Sequence, residues 1–308
     1  MTNSLDFQKI LDEIEQEIKP FYGKGEAANY IPELANVDPD DFSMSVHFLN
    51  GQHHSVGSFE KTFSIQSISK VFLLVMAMKM EKSQLWKRVG KEPSGNRFNS
   101  LVQLEGEFGI PRNPFINAGA LITTDSVVHN SDNAYQLILD FVRRLTGNEK
   151  VGYNLDVANS EIEVSDRNMA LAYFMRSFGN IKSDPQDLID IYSHHCSLEL
   201  TTLDLCKSFL FLANNGAVPE TKEKIISSTD TKRINSLMIT SGLYDNVGEF
   251  AYKVGLPAKS GVGGGIVAVM PGLFSVSVWS PRLNSHGNSV IGLKALELFT
   301  DKTGISIF

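Results

Sequence analysis

Cysteine is scarce in this sequence, which has two cysteines among 308 residues, Cys196 and Cys206. Neither belongs to a CxxC pair, and the chain has no HExxH motif and no Cys/His cluster, which argues against a structural zinc site. Both cysteines lie in apolar, helix-like surroundings, as is typical of buried thiols. We therefore expect two free thiols in a reducing cytoplasm.

Long apolar runs and blocks of like charge are also missing. The longest apolar run, near residues 71–78, is too short for a bilayer span of about 20 residues. The N-terminal segment has apolar residues at helical spacing, at Leu5, Ile10, Leu11, Ile14 and Ile18. This pattern indicates an amphipathic helix rather than a signal peptide. A formal net charge of -7 disfavours binding to nucleic acid or to an anionic membrane, and we expect a cytoplasmic protein.

Strand patterns are present at both ends of the chain. Residues 42–49 alternate around apolar positions and lead into Asn50-Gly51, which predicts a hairpin. Residues 263–281 contain two β-rich runs joined by Pro271-Gly272. Helix-like periodicity covers 67–82, 133–146, 165–178, 184–196, 202–214 and 230–240, and again 288–302.

This order predicts an α+β fold, with an antiparallel sheet built from both chain ends, flanking helices and an inserted helical lobe. We expect one catalytic unit over residues 1–308. Its α/β lobe would comprise about 1–66 and 245–308, and its helical lobe about 67–244. A cleft between the lobes is the expected place for a site.

The stretch "FSIQSISKVF", residues 63–72, combines Ser67 and Lys70 at the start of an apolar helix pattern. Residues three apart on a helix share a face. A serine hydroxyl becomes a nucleophile when a base takes its proton, and burial lowers the pKa of a lysine enough for that task. The alternative is a serine that caps the helix beside a solvated lysine.

A second motif, Lys259-Ser260-Gly261, opens a β-rich run. Its glycines do not match the spacing of a P-loop or of GxGxxG. Together with the early SxxK motif, it follows the layout of serine β-lactamases and penicillin-binding proteins. In such a site the lysine adds positive charge, the serine hydroxyl donates to substrate, and a backbone N–H near Val262 points into an oxyanion hole.

Two other patterns are poorer candidates. Ser131-Asp132-Asn133 spells the third element of the β-lactamase signature, but Asn130, Ser131 and Asp132 are well placed to cap the helix that follows. The pairs His53-His54 and His194-His195 suggest a metal. Adjacent side chains do not share a helix face, however, and no acidic residue or cysteine joins them at ligand spacing. We expect no metal.

The chain contains several long, unusual strings: "YIPELA" at 30–35, "FSIQSISKVF", "VGKEPSGNRFNSLVQLE" at 89–105, "GIPRNPFINAGA" at 109–120, and residues 241–272. Together they resemble the bacterial serine-dependent glutaminases, whose fold is similar to that of the serine β-lactamases. The resemblance implies hydrolysis of L-glutamine to L-glutamate and ammonia through a glutamyl-serine intermediate. It implies no cofactor, and it suggests a homo-oligomer, a dimer or a tetramer.

The resemblance also implies the site residues. Ser67 would be the nucleophile and Lys70 its base. Glu161 would bind the substrate α-ammonium group, and Asn117 and Asn168 its α-carboxylate. The other implied residues are Tyr192 and Tyr244 as candidate proton relays, Val262 and Ser67 as backbone oxyanion donors, Tyr30 at the pocket mouth, and Lys259, Ser260 and Gly261 in support.

Plainer readings of these residues remain open at this point. Glu161 could be a surface charge, Asn117 could form a turn, and Tyr192 could belong to the core. Two other functions also remain: a β-lactamase or DD-peptidase-like hydrolase that uses Ser131-Asp132-Asn133, and a non-catalytic amino-acid-binding protein on the same fold.

Overall fold

The computed structural model describes residues 5–95 and 101–308. Its β-strands are β1 (Ser43–Phe48), β2 (His53–Gly57), β3 (Phe63–Ser64), β4 (Gly152–Tyr153), β5 (Leu198–Leu200), β6 (Ala258–Ser260), β7 (Gly265–Met270) and β8 (Phe274–Trp279). Its helices up to residue 163 are α1 (Phe7–Glu17), α2 (Lys70–Glu81), α3 (Leu101–Gly106), α4 (Asn117–His129), α5 (Ala134–Thr146) and α6 (Leu155–Glu163). The later helices are α7 (Asp166–Ser177), α8 (Pro185–Cys196), α9 (Thr202–Ala213), α10 (Ser228–Ser241), α11 (Val247–Lys253) and α12 (Val290–Thr303).

The main sheet joins the two ends of the chain. Its strand order is β2-β1-β8-β7-β6, and every neighbouring pair is antiparallel. The β1–β2 hairpin turns at Asn50-Gly51, where Gly51 has a φ of 90° that favours glycine. Strand β1 then pairs with β8 in a register that sets Ser45 opposite Ser277. The expected sheet from both chain ends is therefore confirmed.

The two faces of this sheet carry different side chains. On the outer face, apolar residues such as Met44, Val46 and Val276 pack with residues of α1 and α12. On the inner face, small polar residues meet α9, where Ser45 Oγ lies 2.8 Å from Thr202 Oγ1 and Ser277 Oγ donates to Thr202 O at 2.6 Å. This alternation follows the two-residue period of a strand, and the serines let α9 lie close to the sheet.

Most helices lie where the periodicity predicts them, but α3, α4, α6 and α11 were not anticipated. Helix α4 is buried from Ala118 to Val127. A helix that is surrounded by protein has no polar face, so its sequence shows no amphipathic period. The small sheet β3-β5-β4 was also missed, because strands of two or three residues are too short to show alternation.

The string at 89–105 includes residues 96–100, and the N-terminal segment includes residues 1–4, which lie outside the described residues. Within the described part of the chain, none of the helices combines the length and the apolar character that a bilayer span requires.

Candidate active site

The candidate nucleophile lies in a short connection between a strand and a helix. Strand β3 leads into a 3-10 turn, Gln66–Ser69, which continues directly into α2. Gln66 has a φ of 49° and is buried, and such a conformation in a non-glycine residue costs about 1–3 kcal/mol. Ser69 Oγ donates to Gln66 O at 2.6 Å, and Gln66 Nε2 donates to Ser64 Oγ at 3.0 Å. Surrounding contacts therefore hold a strained turn that presents Ser67.

A glycine-rich turn after β6 packs directly against this connection. A Cβ atom on Gly261 would collide with Ile65 O, and one on Gly263 would collide with Ser64 O. Glycine is thus required at both positions for the two backbones to approach. Val262 lies between these glycines and lines the same cavity as Ser67, which is where a backbone oxyanion donor is expected.

Lys70 is fully buried beneath Ser67. Its Nζ donates to Asn117 Oδ1 at 2.7 Å and to Phe115 O at 3.3 Å, and it lies 5.8 Å from the centre of the Tyr192 ring. Burial lowers the pKa of Lys70 to about 8, although the nearby Cys196 and Glu161 oppose this change. A lysine with this pKa is partly neutral at physiological pH, as a general base must be.

Tyr244 also contacts the nucleophile. Its side chain is hydrogen-bonded to Ser67, while burial raises its pKa above the ordinary value and keeps the phenol protonated. Lys259 Nζ lies 4.6 Å from the centre of the Tyr244 ring and donates to Ser260 O at 2.6 Å. Burial, and then the charge of Lys70, lowers the pKa of Lys259. Lys259 and Ser260 are both fully buried and are not among the residues that line the cavity with Ser67.

Ser67 opens onto a cavity of about 350 Å³. Its lining includes eight of the residues predicted from the sequence, namely Tyr30, Ser67, Asn117, Glu161, Asn168, Tyr192, Tyr244 and Val262. Tyr30 is 53% exposed, as expected for a residue at the mouth. The structure therefore brings these predicted residues together around one cavity, while Lys70, Lys259 and Ser260 lie buried next to it.

Further polar groups line the same cavity. Asn117 Nδ2 donates to Asn168 Oδ1 at 2.9 Å, which orients both amides. Burial raises the pKa of Glu161 to about 7, whereas Lys70, Gln66 and Cys196 lower it. Glu161 Oε2 is buried and has no hydrogen-bond partner within residues 5–95 and 101–308. A buried carboxylate oxygen without a partner is a strong candidate ligand for a cation.

Sequence reasoning missed four lining residues, which are Ile31, Gln66, Val164 and Arg167. Two of them have a signal in hindsight, since Gln66 precedes the nucleophile and Arg167 precedes Asn168. Nothing in the sequence indicates which way the side chains of Ile31 and Val164 point.

The Ser131-Asp132-Asn133 triplet has a structural role. Asn133 is the N-cap of α5, and its side chain accepts from Gln136 N at 3.1 Å. The expectation of a helix cap is confirmed, although the capping residue is Asn133 rather than one of the three residues before it. Asp132 and Asn133 are exposed, and the triplet is not part of the cavity lining.

The arrangement around Ser67 is suited to acyl transfer. It combines a hydroxyl on a helix start, a buried amine with a lowered pKa, a protonated phenol in contact with the hydroxyl, and a backbone turn for an oxyanion. These are the parts that a serine acyl-enzyme mechanism requires. The cavity adds a carboxylate and two amides, which together can bind the head group of a free amino acid.

Known proteins resemble this chain along almost its whole length. The glutaminase family model matches residues 25–308. A glutaminase from Ralstonia nicotianae is 53% identical over 304 residues, covering 99% of this chain and 100% of the relative. A glutaminase from Aliarcobacter butzleri is 52% identical over 305 residues, covering 99% and 100%.

Solved structures agree with the sequence matches. A probable glutaminase, YbaS, superposes with a TM-score of 0.91 at 34% identity and covers 99% of both chains. Mglu in its glutamate form gives a TM-score of 0.91 at 32% identity, covering 98% of this chain and 69% of that one. These matches confirm the α+β, β-lactamase-like fold. With half of its residues shared with curated relatives and the family model matched from residue 25 to the end, this chain belongs to the glutaminase family.

Proposed function

We propose that this protein hydrolyses L-glutamine to L-glutamate and ammonia through a glutamyl ester on Ser67. One observation carries the proposal more than any other. The cavity that holds Ser67 also holds a buried carboxylate oxygen without a partner, Glu161 Oε2. A nucleophile and a cation ligand in one small cavity fit a substrate that has an amide at one end and an ammonium group at the other.

In the acylation step, Ser67 Oγ bonds to the side-chain carbonyl carbon of glutamine and transfers its proton to neutral Lys70. The carbonyl oxygen gains the negative charge, and the backbone N–H groups of Ser67 and Val262 stabilise it. When the C–N bond breaks, Tyr244 donates a proton to the leaving nitrogen and ammonia departs. Tyr244 then recovers a proton from the Lys70 ammonium, so the phenol is protonated and the amine neutral again before deacylation. Water then attacks the ester, glutamate leaves, and the proton of the water returns to Ser67 Oγ.

Tyr244 is the better candidate for the proton relay. Tyr244 is hydrogen-bonded to Ser67, whereas the Tyr192 ring lies 5.8 Å from the Lys70 amine. A proton donor must reach the reacting atoms through a hydrogen bond or one water. We assign Tyr192 to packing against Lys70 and to the wall of the substrate cavity.

The substrate head group would be held by polar side chains that line the same cavity as Ser67. Glu161 accepts hydrogen bonds from the α-ammonium group. Asn168 donates to the α-carboxylate, with Asn117 holding the Asn168 amide in place through the 2.9 Å bond. Because Asn117 Oδ1 also accepts from Lys70, it links substrate binding to the position of the base.

Ammonia release from L-glutamine tests the proposal, with L-asparagine and D-glutamine measured beside it. Asparagine is one methylene shorter, which alone is worth about 1–3 kcal/mol. If Glu161 and Asn168 hold its head group, its amide carbon also stops short of Ser67, and a misplacement of about 1 Å costs roughly 10²-fold. We expect glutamine to exceed asparagine in kcat/KM by more than the methylene alone explains.

The alternatives have separate readouts. Turnover of nitrocefin without ammonia release would favour a β-lactamase-like hydrolase. Glutamine binding without turnover would favour an amino-acid-binding protein. Two buried free thiols support our further proposal that the enzyme works in the reducing cytoplasm, and we propose a homo-oligomer by analogy with the family.

A further inference from the structure

His195 forms a buried bridge between two helices and the nucleophile turn. It lies on α8, one residue before the end of that helix, and is fully buried. Its Nδ1 lies 2.8 Å from Ser69 Oγ and its Nε2 lies 3.1 Å from Thr124 Oγ1 on α4. Both ring nitrogens therefore have hydroxyl partners. The proposed catalytic scheme does not use these contacts, and the described residues contain no cluster of His, Cys, Asp and Glu that could hold a metal ion.

The bridge continues to the residue that precedes Ser67. Ser69 Oγ donates to Gln66 O at 2.6 Å, so His195 is one hydroxyl away from the backbone that carries the strained φ. The next residue of α8 holds the other side of the turn, because Ser64 Oγ donates to Cys196 O at 2.9 Å. The end of α8 is thus hydrogen-bonded to the chain both before Ser67, at Ser64, and after it, at Ser69.

The number of available protons restricts which groups of this bridge can donate hydrogen bonds and which must accept them. Burial, and then the charges of Lys70 and His194, lowers the pKa of His195 to about 3. The ring is therefore neutral at physiological pH and has one N–H. If Nδ1 carries the proton, it donates to Ser69, and Ser69 remains the donor to Gln66 O. Thr124 then turns its hydroxyl proton toward Nε2.

The other tautomer of His195, with the proton on Nε2, is less favourable. If Nε2 carried the proton, Ser69 would have to donate to Nδ1, and the 2.6 Å bond to Gln66 O would be lost. The carbonyl at the other end of the bridge has a substitute donor. Ala120 O accepts from both Thr123 Oγ1 and Thr124 Oγ1 at 2.9 Å, so Thr124 can turn away without leaving that oxygen unpaired.

We propose that His195, as its Nδ1–H tautomer, is a positioning residue that orients Ser67 by holding the Gln66 backbone through Ser69. The inference rests on the proposed role of Ser67 as nucleophile. His195 is not among the residues that line the cavity, although its ring packs edge-on against the Tyr192 ring, with 5.0 Å between the ring centres. It acts by keeping the hydroxyl of Ser67 in line with the substrate carbonyl, where an error of about 1 Å costs roughly 10²-fold.

Two substitutions separate positioning from packing. His195→Leu fills similar space without hydrogen-bonding groups. We expect kcat for ammonia release to fall by about 10- to 100-fold, with KM changing less than about threefold, because the head-group ligands are untouched. His195→Gln retains one donor group and one acceptor that can reach Ser69 and Thr124, and it is the matched control. We expect it to keep kcat within about threefold of the unchanged protein.

A second variant and a second readout guard against loss of folding. Ser69→Ala removes the hydroxyl that links His195 to Gln66 O and changes the core by one atom, and it should lower kcat in the same way as His195→Leu. The rate at which a fluorophosphonate labels Ser67, measured by peptide mass spectrometry, should fall in parallel. Folded His195→Leu and Ser69→Ala proteins with unchanged kcat and labelling would overturn the proposal, as would equal losses in His195→Gln and His195→Leu.

These readouts also separate this inference from the proposed function. An unchanged protein that labels at Ser67 but releases no ammonia from glutamine defeats the glutaminase function, while the labelling rates still decide the role of His195. The ring itself can be observed by nitrogen-15 NMR of the full chain at neutral pH. A protonated Nδ1 with an unprotonated Nε2 supports the proposed tautomer of His195, whereas a protonated Nε2 or a charged ring contradicts it.

Discussion

Two serine-containing segments of this protein match parts of the same hydrolase signature, and they differ in what surrounds them. Ser67 lies between a buried strand and a buried helix, with Tyr244 on its hydroxyl and the amine of Lys70 below. Ser131 lies at an exposed helix start, where Asn133 caps α5. Both segments begin a helix. Burial lowers the pKa of Lys70 in the first segment, whereas Asp132 and Asn133 of the second segment are exposed. A match to the sequence motif is therefore not sufficient for a catalytic site, because the reactivity of the side chains also depends on their burial.

Substitutions in the segment that contains Ser67 and Lys70 should have the largest effect on kcat. Ser67→Ala removes the nucleophile, and removing such a residue from a coupled serine site costs on the order of 10⁶ in kcat. Lys70→Ala should be comparably damaging because serine and base act as a unit. The coupled ammonia assay checks both variants, with circular dichroism as the control for folding. Ser67→Ala protein that keeps more than a few per cent of the activity would rule out the mechanism.

Substitutions of Tyr244 and Tyr192 should have the next largest effects on kcat, and the two effects should differ in size. Tyr244→Phe removes the proposed proton donor, and general acid catalysis contributes about 10²–10⁴-fold. Tyr192→Phe keeps the ring near the Lys70 amine and should cost less than about tenfold, since it removes one hydroxyl from the cavity wall. Steady-state kcat on glutamine compares the pair. A larger loss in Tyr192→Phe than in Tyr244→Phe would reverse the assignment.

Glu161→Gln tests whether the cavity next to Ser67 binds the substrate α-ammonium group. The segment around Ser131 does not line this cavity. The substitution removes the charge that faces the α-ammonium group while keeping the shape, and breaking a buried charge pair costs about 2–5 kcal/mol. We expect kcat/KM for glutamine to fall accordingly. A glutamine analogue without the α-amino group serves as the matched control and should be affected much less. Equal losses on both substrates would show that Glu161 is not the ammonium ligand.

The pH profile should follow the two buried groups of the site. The pKa of Lys70 is lowered to about 8, and it acts as a base only when neutral. The pKa of Glu161 is raised to about 7, and it binds an ammonium group only when ionised. Both active forms gain population as pH rises, so kcat/KM should increase from pH 6 to pH 8. A maximum near pH 5 would contradict the lysine as base.

The smallest effect should come from the exposed segment. Asn133→Ala removes an N-cap, which costs about 1 kcal/mol of the free energy of unfolding, and kcat/KM should stay within a few-fold. Thermal unfolding and the ammonia assay together check this. A large loss of turnover with the fold intact would revive the β-lactamase-like reading of Ser131-Asp132-Asn133.

Much of the fold and the site could be predicted from the sequence, for physical reasons. Amphipathic helices such as α5 and hairpins such as β1–β2 have one face toward water, so they leave a period in the sequence. The site residues came from long strings shared with a known family. The division into lobes near residues 66 and 245 stays a prediction.

Features that depend on several buried segments could not be predicted. Helix α4 has no exposed face and therefore no period. Gln66, which has a positive φ, accepts a hydrogen bond from Ser69, and Ser69 in turn contacts His195, 126 residues away in the chain. Neither local pattern nor residue type indicates such a contact, and the same holds for the cap at Asn133, where four consecutive residues could all serve.

Rapid acid quenching during glutamine turnover, followed by mass spectrometry of the peptides, tests the central claim most directly. The account predicts one glutamyl group on the peptide that contains Ser67, localised to that residue, and no adduct in Ser67→Ala. A glutamyl group on any other residue, or steady ammonia release by Ser67→Ala without an adduct, would contradict it.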